Sequence, residues 1–303
     1  MKKGSLLIIL TLISYLGLSQ TIKNFVTSDS IKLYYQIEGE GEPLFLISMG
    51  PGYAPDYLFQ VSDSLKSNFK VILLHQRGTG LSKMDSIRTS NMNIERCLQD
   101  IDELRIELRY NKISLMGNSF GGLLTMYYSV NYPNRIKSII LVGSAGIDLE
   151  FTRYFRANIL SRLSIIEVKE IERWSDSIRS NRNVKKANTE MMKVTVPAYF
   201  FNKTYAANFC NQITEGTYNH LVSDYLWMDL MKNGYDLKPK FKEFSQNALI
   251  IIGRQDIVGE STAYKMNDNI PNSELVIIEE CGHLPWIEQP NIFYKEVRDF
   301  LKK

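Results

Sequence analysis

The chain runs to 303 residues, 44% hydrophobic and 23% charged, an ordinary globular composition with length for one large α/β core and an appendage. Setting aside Lys2 and Lys3 takes its 36 basic residues to 34 against 33 acids. The resulting net charge of +1 gives nucleic acid no electrostatic attraction and excludes that class of partner.

The first nineteen residues read as an export signal. Lys2 and Lys3 form a short basic start, residues 6–18 are mostly apolar, and Gly17 and Ser19 put small residues at the two positions a signal peptidase inspects. The apolar stretch is shorter than the ~20 residues a bilayer span needs, and no cysteine follows it to take a bacterial-type lipid anchor. A secreted or periplasmic protein without a stable membrane anchor is expected.

Residues 31–37 alternate apolar and polar before the turn-rich Gly39-Glu40-Gly41-Glu42-Pro43, the pattern of an antiparallel hairpin opening a sheet. Four runs that are apolar on both faces follow, at 44–47, 71–74, 112–116 and 139–142, as parallel strands covered by helices require. Between the second and third, Ile94, Cys97, Leu98, Ile101, Leu104 and Leu108 fall at three- and four-residue steps, which predicts a crossover helix. The third run leads into Gly117-Asn118-Ser119-Phe120-Gly121 and a helix-like stretch. A serine on so tight a strand-to-helix turn is a nucleophile elbow, its hydroxyl pushed clear of the sheet and its flanking glycines avoiding the neighbouring elements. Two further strands, 248–252 and 274–278, and an amphipathic helix over 292–301 close the chain.

A serine hydroxyl needs a base to take its proton. Of the three histidines, His75 and His220 fall too early in the chain. His283 follows the last strand and completes the order Ser, acid, His that this architecture uses. The acid expected is Asp256, just past the 248–252 strand, with Asp268 as runner-up in a predicted helix. The oxyanion of an acyl transfer would be received by the backbone amide of Phe120 and by that of Gly50 in Ser48-Met49-Gly50-Pro51-Gly52, since Pro51 has no N–H. Cys97, Cys210 and Cys281 are too widely spaced for a disulfide framework or zinc site and read as packing residues. No metal and no cofactor are expected.

Three stretches make the chain resemble the α/β-hydrolases, and within them the proline iminopeptidase group. Met49-Gly50-Pro51-Gly52 is similar to that group's H-G-G-P-G loop, His75-Gln76-Arg77-Gly78-Thr79-Gly80-Leu81-Ser82 looks like its D-Q-R-G-x-G-x-S, and the elbow reads Gly-Asn-Ser-Phe-Gly-Gly. The resemblance covers roughly residues 31–146 and 246–301. It implies an α/β-hydrolase fold, a mostly parallel doubly wound sheet, with core segments 22–146 and 246–303. The insert at 147–245, which the resemblance does not cover, reads as a helical cap from periodic stretches such as 151–163 and 221–231 that are rich in Tyr, Phe, Trp and Met. Arg77 is expected to shape its loop and not to act on substrate. Ser48, Met49 and His75 depart from the group's pattern; relatives anchor the substrate amine with an acidic residue next to the triad acid or within the cap, and here Asp256 is followed by Ile257. Such an anchor would have to come from the insert, where Glu215, Asp224 and Asp229 are the candidates.

The expected activity is therefore that of a serine hydrolase with an acyl-enzyme intermediate, acting on a small molecule or short peptide. An aminopeptidase releasing N-terminal proline or a small apolar residue comes first, and a carboxylesterase for small neutral esters is the alternative. A non-catalytic ligand-binding member of the fold has no use for all three residues. The sequence assigns no oligomeric state.

Overall fold

The computed structural model describes residues 21–303; the expected export signal, 1–19, lies outside the described residues. Eight strands form one sheet in the order β1-β2-β4-β3-β5-β6-β7-β8. They are β1 (Thr21–Val26), β2 (Lys32–Glu38), β3 (Pro43–Ile47), β4 (Lys70–His75), β5 (Ile113–Asn118), β6 (Ile136–Val142), β7 (Asn247–Gly253) and β8 (Ser273–Ile278). β2 runs antiparallel to both its neighbours, β1 and β4, and every other pairing is parallel. The hairpin read from residues 31–37 is made with β1 upstream, while the glycine-rich turn after β2 leads to β3 on the far side of β4.

The apolar runs are buried on both faces for the reason their sequences suggest. Phe45, Ile47, Leu115 and Ile139 point into one core, packed against α2 (Ile94–Glu107) and α3 (Phe120–Asn131). The residues between them, including Leu44, Leu46, Met116 and Ile140, point into a second core that contains Val61 and Leu65 of α1 (Phe59–Leu65). Each such side chain contributes roughly 1.5–3 kcal/mol on burial, so a strand apolar on both faces is stable only between two helical layers.

Between β6 and β7 come α4 (Thr152–Leu160), α5 (Ile165–Arg179), α6 (Val184–Thr195), α7 (Lys203–Cys210), α8 (His220–Asn233) and the short α9 (Lys238–Phe241). The start and end of this insert are clasped where Leu237 N–H donates to the Ile147 carbonyl (3.0 Å). After β7 come α10 (Glu260–Asn269), α11 (Pro285–Glu288) and α12 (Pro290–Leu301).

The Gln76-Arg77-Gly78 loop is built around a buried ion pair. Arg77 is 1% exposed; its Nε and Nη2 reach the Asp100 oxygens at 2.6 and 2.5 Å, and Nη1 reaches Asp29 at 3.0 Å. That fork fixes the loop after β4 to α2, the structural role expected of Arg77. Arg77→Met leaves the Asp100 carboxylate buried without its partner and should cost about 3–5 kcal/mol, read as a lower urea midpoint at unchanged slope.

His75, also buried, ends β4; its Nδ1 accepts from Leu81 N–H at 3.3 Å, and burial pushes the imidazole down to about 4. In the unfolded chain it takes up its proton below about 6.5. This group's contribution is therefore intact above pH 6.5 and is lost as pH falls from 6.5 toward 4, by up to about 3 kcal/mol. His75→Gln should flatten that limb of a stability–pH curve measured by urea unfolding, relative to the parent.

Candidate active site

β5 ends at Asn118 and α3 begins at Phe120, leaving Ser119 alone in the turn at φ 55° and ψ −118°. A left-handed φ at a non-glycine residue costs on the order of 1–3 kcal/mol and persists only where its surroundings hold it. Here Ser119 N–H donates to the Val142 carbonyl (3.0 Å), and the Ser119 carbonyl accepts from Gly122 and Ala145 (2.9 and 3.0 Å). The neighbouring glycines answer to space: a Cβ on Gly117 would overlap the Gly121 carbonyl, and one on Gly121 the Ile47 carbonyl.

Asp256 lies in the turn after β7 and His283 in the loop after β8, both almost fully buried. His283 Nδ1 sits 2.8 Å from Asp256 Oδ1 and 3.0 Å from Oδ2, while Oδ1 also accepts from Val258 N–H at 2.8 Å. A carboxylate can only accept, so the network assigns the proton to Nδ1 and leaves the Nε2 lone pair free to act as a base. Gly143, at φ 49°, links this pair to the serine. Its neighbours Val142 and Ala145 are bonded to Ser119, and a Cβ there would lie 2.6 Å from Asp256 Oδ2 and 2.9 Å from His283 Nδ1. The runner-up acid, Asp268, is exposed on α10.

Gly50 and Phe120 border the same cavity as Ser119. Phe120 is the first residue of α3, so its amide has no acceptor within the helix. The loop carrying Gly50 is braced by Gln76, whose Nε2 donates to the Ser48 carbonyl (3.0 Å) and hydroxyl (2.8 Å). Tyr57 takes the Met49 N–H and donates its own proton to Asn118 Oδ1 (3.2 Å). The Met49 amide is thus committed to its loop, and Gly50 is the next residue along, at the cavity wall.

The cavity holds about 210 Å³. Its walls include Tyr53 from the core and Met192, Tyr199, Tyr218 and Trp227 from the insert, and among the described residues that line it none carries a charge. The three carboxylates expected to anchor an amine lie elsewhere. Glu215 is exposed beside His220 in a separate surface depression, and Asp224 is exposed on α8. Asp229 accepts from the N-terminal amide of α2 at Ile94 (3.0 Å) and from Asn233 (2.9 Å), which gives it a capping role. A carboxylate on a helical periodic stretch is identical in sequence whether it faces a pocket, solvent or a helix end, so the sequence could not separate these fates.

All three cysteines are free. Cys97 and Cys281 are buried in the two cores, and burial pushes the Cys97 thiol up to about 12. Sequence reasoning passed over Tyr199, Arg162 and Glu288, which contact the Asp256 and His283 loops; no spacing rule marks a lone tyrosine, arginine or glutamate.

A family profile described as the alpha/beta hydrolase fold matches residues 42–290. The chain belongs to the alpha/beta hydrolase fold family. This alpha/beta hydrolase is 24% identical over 292 residues to a proline iminopeptidase of Clostridioides difficile (strain 630), covering 92% of this chain and 97% of that relative. Among solved structures it is similar to an alpha/beta fold family hydrolase from Bacillus anthracis str. Sterne, with a TM-score of 0.76, 20% identity and coverage of 92% of this chain and 99% of the other. It is also similar to an esterase from Exiguobacterium antarcticum, with a TM-score of 0.70, 18% identity and the same coverage.

Because Gly143 has a left-handed φ and abuts the Asp256–His283 pair, Gly143→Ala should displace both side chains. A shift of about 1 Å at such a pair costs on the order of 100-fold in rate. The alpha/beta hydrolase carrying Gly143→Ala should keep its circular dichroism spectrum and lose about that much hydrolytic activity.

Proposed function

We propose that this alpha/beta hydrolase cleaves small, neutral carboxylic esters through a serine acyl-enzyme. The observation that carries the reading is the uncharged, largely apolar cavity beside Ser119. Its volume of about 210 Å³ falls below the ~300–1,000 Å³ of pockets for drug-sized ligands, which suits a short acyl group.

In this reading Ser119 Oγ attacks the ester carbonyl carbon as His283 Nε2 takes its proton, and Asp256 holds the imidazole by Nδ1. The Gly50 and Phe120 amides receive the oxyanion, each worth about 3 kcal/mol of barrier in serine hydrolases. Collapse breaks the bond to the alcohol oxygen, which leaves with the proton from His283. Water then attacks the acyl-enzyme, giving its proton to His283, and the second collapse releases the acid and returns that proton to Ser119.

Similarity to proline iminopeptidases and the Gln-Arg-Gly run favour a second reading, the aminopeptidase. That activity must hold an ammonium, and a buried cation needs a carboxylate partner, whereas Glu215, Asp224 and Asp229 lie away from the cavity. The N-terminal pattern of Lys2, Lys3 and the apolar run supports export of the enzyme before it acts.

Turnover of p-nitrophenyl acetate and butyrate, and of prolyl and alanyl anilides with free and blocked amino termini, tests the choice. Ester turnover is expected, reduced at least about 1,000-fold by Ser119→Ala, with little or no anilide turnover. Efficient, Ser119-dependent cleavage of free-amine prolyl anilide alone would reverse the two readings. A chain whose Ser119 fails to react with a fluorophosphonate probe would belong to the ligand-binding class.

A further inference from the structure

The loops bearing Asp256 and His283 do not stand on the core alone. Glu288, at the end of α11, is 7% exposed and turns its carboxylate inward. Its Oε2 accepts from Gly282 N–H (2.6 Å) and from Phe201 N–H (3.2 Å), and its Oε1 accepts from Asn202 N–H (2.8 Å). One carboxylate from the core therefore ties the residue preceding His283 to two successive amides of the insert. Burial pushes its carboxyl up against the opposing pull of those amides. Both Glu288 oxygens are engaged by backbone amides, so its effect passes through the loops it holds.

The insert answers in the other direction. Arg162, in the turn after α4, donates through Nη1 to the Gln255 carbonyl and to that of Ala198 (3.3 Å), and through Nη2 toward the Asp256 carbonyl (3.4 Å). His283 N–H donates to the Tyr199 carbonyl at 2.7 Å, and the Tyr199 ring meets the imidazole edge-on with centroids 5.3 Å apart. Gly282 packs so closely against the Tyr199 carbonyl that a Cβ would overlap it. The bonds to Ala198, Tyr199, Phe201 and Asn202 all fall within residues 198–202 of the insert.

We infer that Arg162 and Glu288 are positioning residues: a cation from the insert grips the acid loop, a carboxylate from the core grips the insert, and together they hold Asp256 and His283 in register. The inference rests on the reading of those two residues as the base and its orienting acid. It makes the insert part of the base's framework as well as the roof of the cavity. Both groups act through backbone amides and carbonyls, so their effect should fall on the chemical step and spare the binding of a neutral substrate.

The test compares the parent enzyme with Glu288→Gln, Arg162→Met and Arg162→Lys. The readouts are kcat and KM for p-nitrophenyl butyrate, the rate at which a fluorophosphonate labels Ser119, and Tm. Glu288→Gln keeps one carbonyl-type acceptor and places an NH2 against the remaining amides. It should lower kcat and the labelling rate together by at least about tenfold, with KM within about threefold. Arg162→Met should do the same, and Arg162→Lys should fall between it and the parent because an ammonium still reaches one carbonyl. Arg162 is only partly buried, so its variants decide the matter if Glu288→Gln does not fold. Variants with a lowered Tm but parental kcat and labelling rate would overturn the latch. A parent enzyme that neither labels nor turns over ester would overturn the underlying reading instead.

Discussion

Helix α3 enters its first turn with the Ile47 carbonyl pressed against Gly121 and the Gly121 carbonyl against Gly117, a spacing that leaves no room for a side chain at either glycine. That contact between backbone and backbone sets Ser119 in its left-handed conformation, since a turn from strand to helix within one residue has no other solution here. It also fixes the distance between α3 and the end of β3, from which the Gly50 loop springs. Ser119, the Phe120 amide and the Gly50 loop are thus placed by one packing event, with the strain at Ser119, on the order of 1–3 kcal/mol, held by the two cores on either side of the sheet. An added methyl group at Gly121 would separate all three together.

The other half of the site depends on a longer chain of contacts. Asp256 and His283 come from loops beyond β7 and β8, toward the edge of the sheet, and they abut Gly143 in the turn whose Val142 and Ala145 are bonded to Ser119. The insert reaches both sides of the cavity. At the His283 loop it lends residues 198–202, and at the Gly50 loop Ala54 N–H donates to Thr217 (2.8 Å) while Asn219 N–H donates to Gly52 (2.9 Å). The aromatic pair Tyr53–Tyr218, with centroids 5.3 Å apart, sits over that second junction. A segment bonded at both rims constrains the cavity's width directly.

Much of the core was legible because its signals are local. Runs apolar on both faces can only be strands between two helical layers, and a serine bracketed by glycines at a strand–helix junction has one geometric reading. The order of Asp256 and His283 follows from strand succession, so that pair could be named before its 2.8 Å contact was known. The partner of β2 was missed because β1 carries a mostly exposed face with little periodic signal. The placement of Glu215, Asp224 and Asp229 was beyond the sequence for a different reason. A carboxylate's fate is decided by which face of the insert packs down, and that packing is made by dispersed aromatics and methionines with no fixed spacing. Glu288 and Arg162 bind backbone groups, which every residue has, so no pattern of side chains announces them.

The absence of charge among the described residues that line the cavity bears on chemistry more than the family resemblance does. Moving an ammonium from water into an apolar pocket costs several kcal/mol even after relaxation. Aromatic faces such as those of Tyr53, Tyr218 and Trp227 return only ~2 kcal/mol or somewhat more through cation–π attraction when desolvated. The balance stays unfavourable unless a carboxylate reaches in, and the three candidates in the insert are engaged elsewhere or face solvent. A neutral ester carries no such penalty, and its apolar acyl group gains about 25 cal/mol for each Å² it removes from water. Its one point of strong polarity, the carbonyl oxygen, would be received in the proposed ester-cleaving reading by the Gly50 and Phe120 amides, both residues bordering the cavity. Under that reading, the same walls that disfavour a free amine favour an ester, and selectivity would follow from what the lining lacks as much as from the groups it presents.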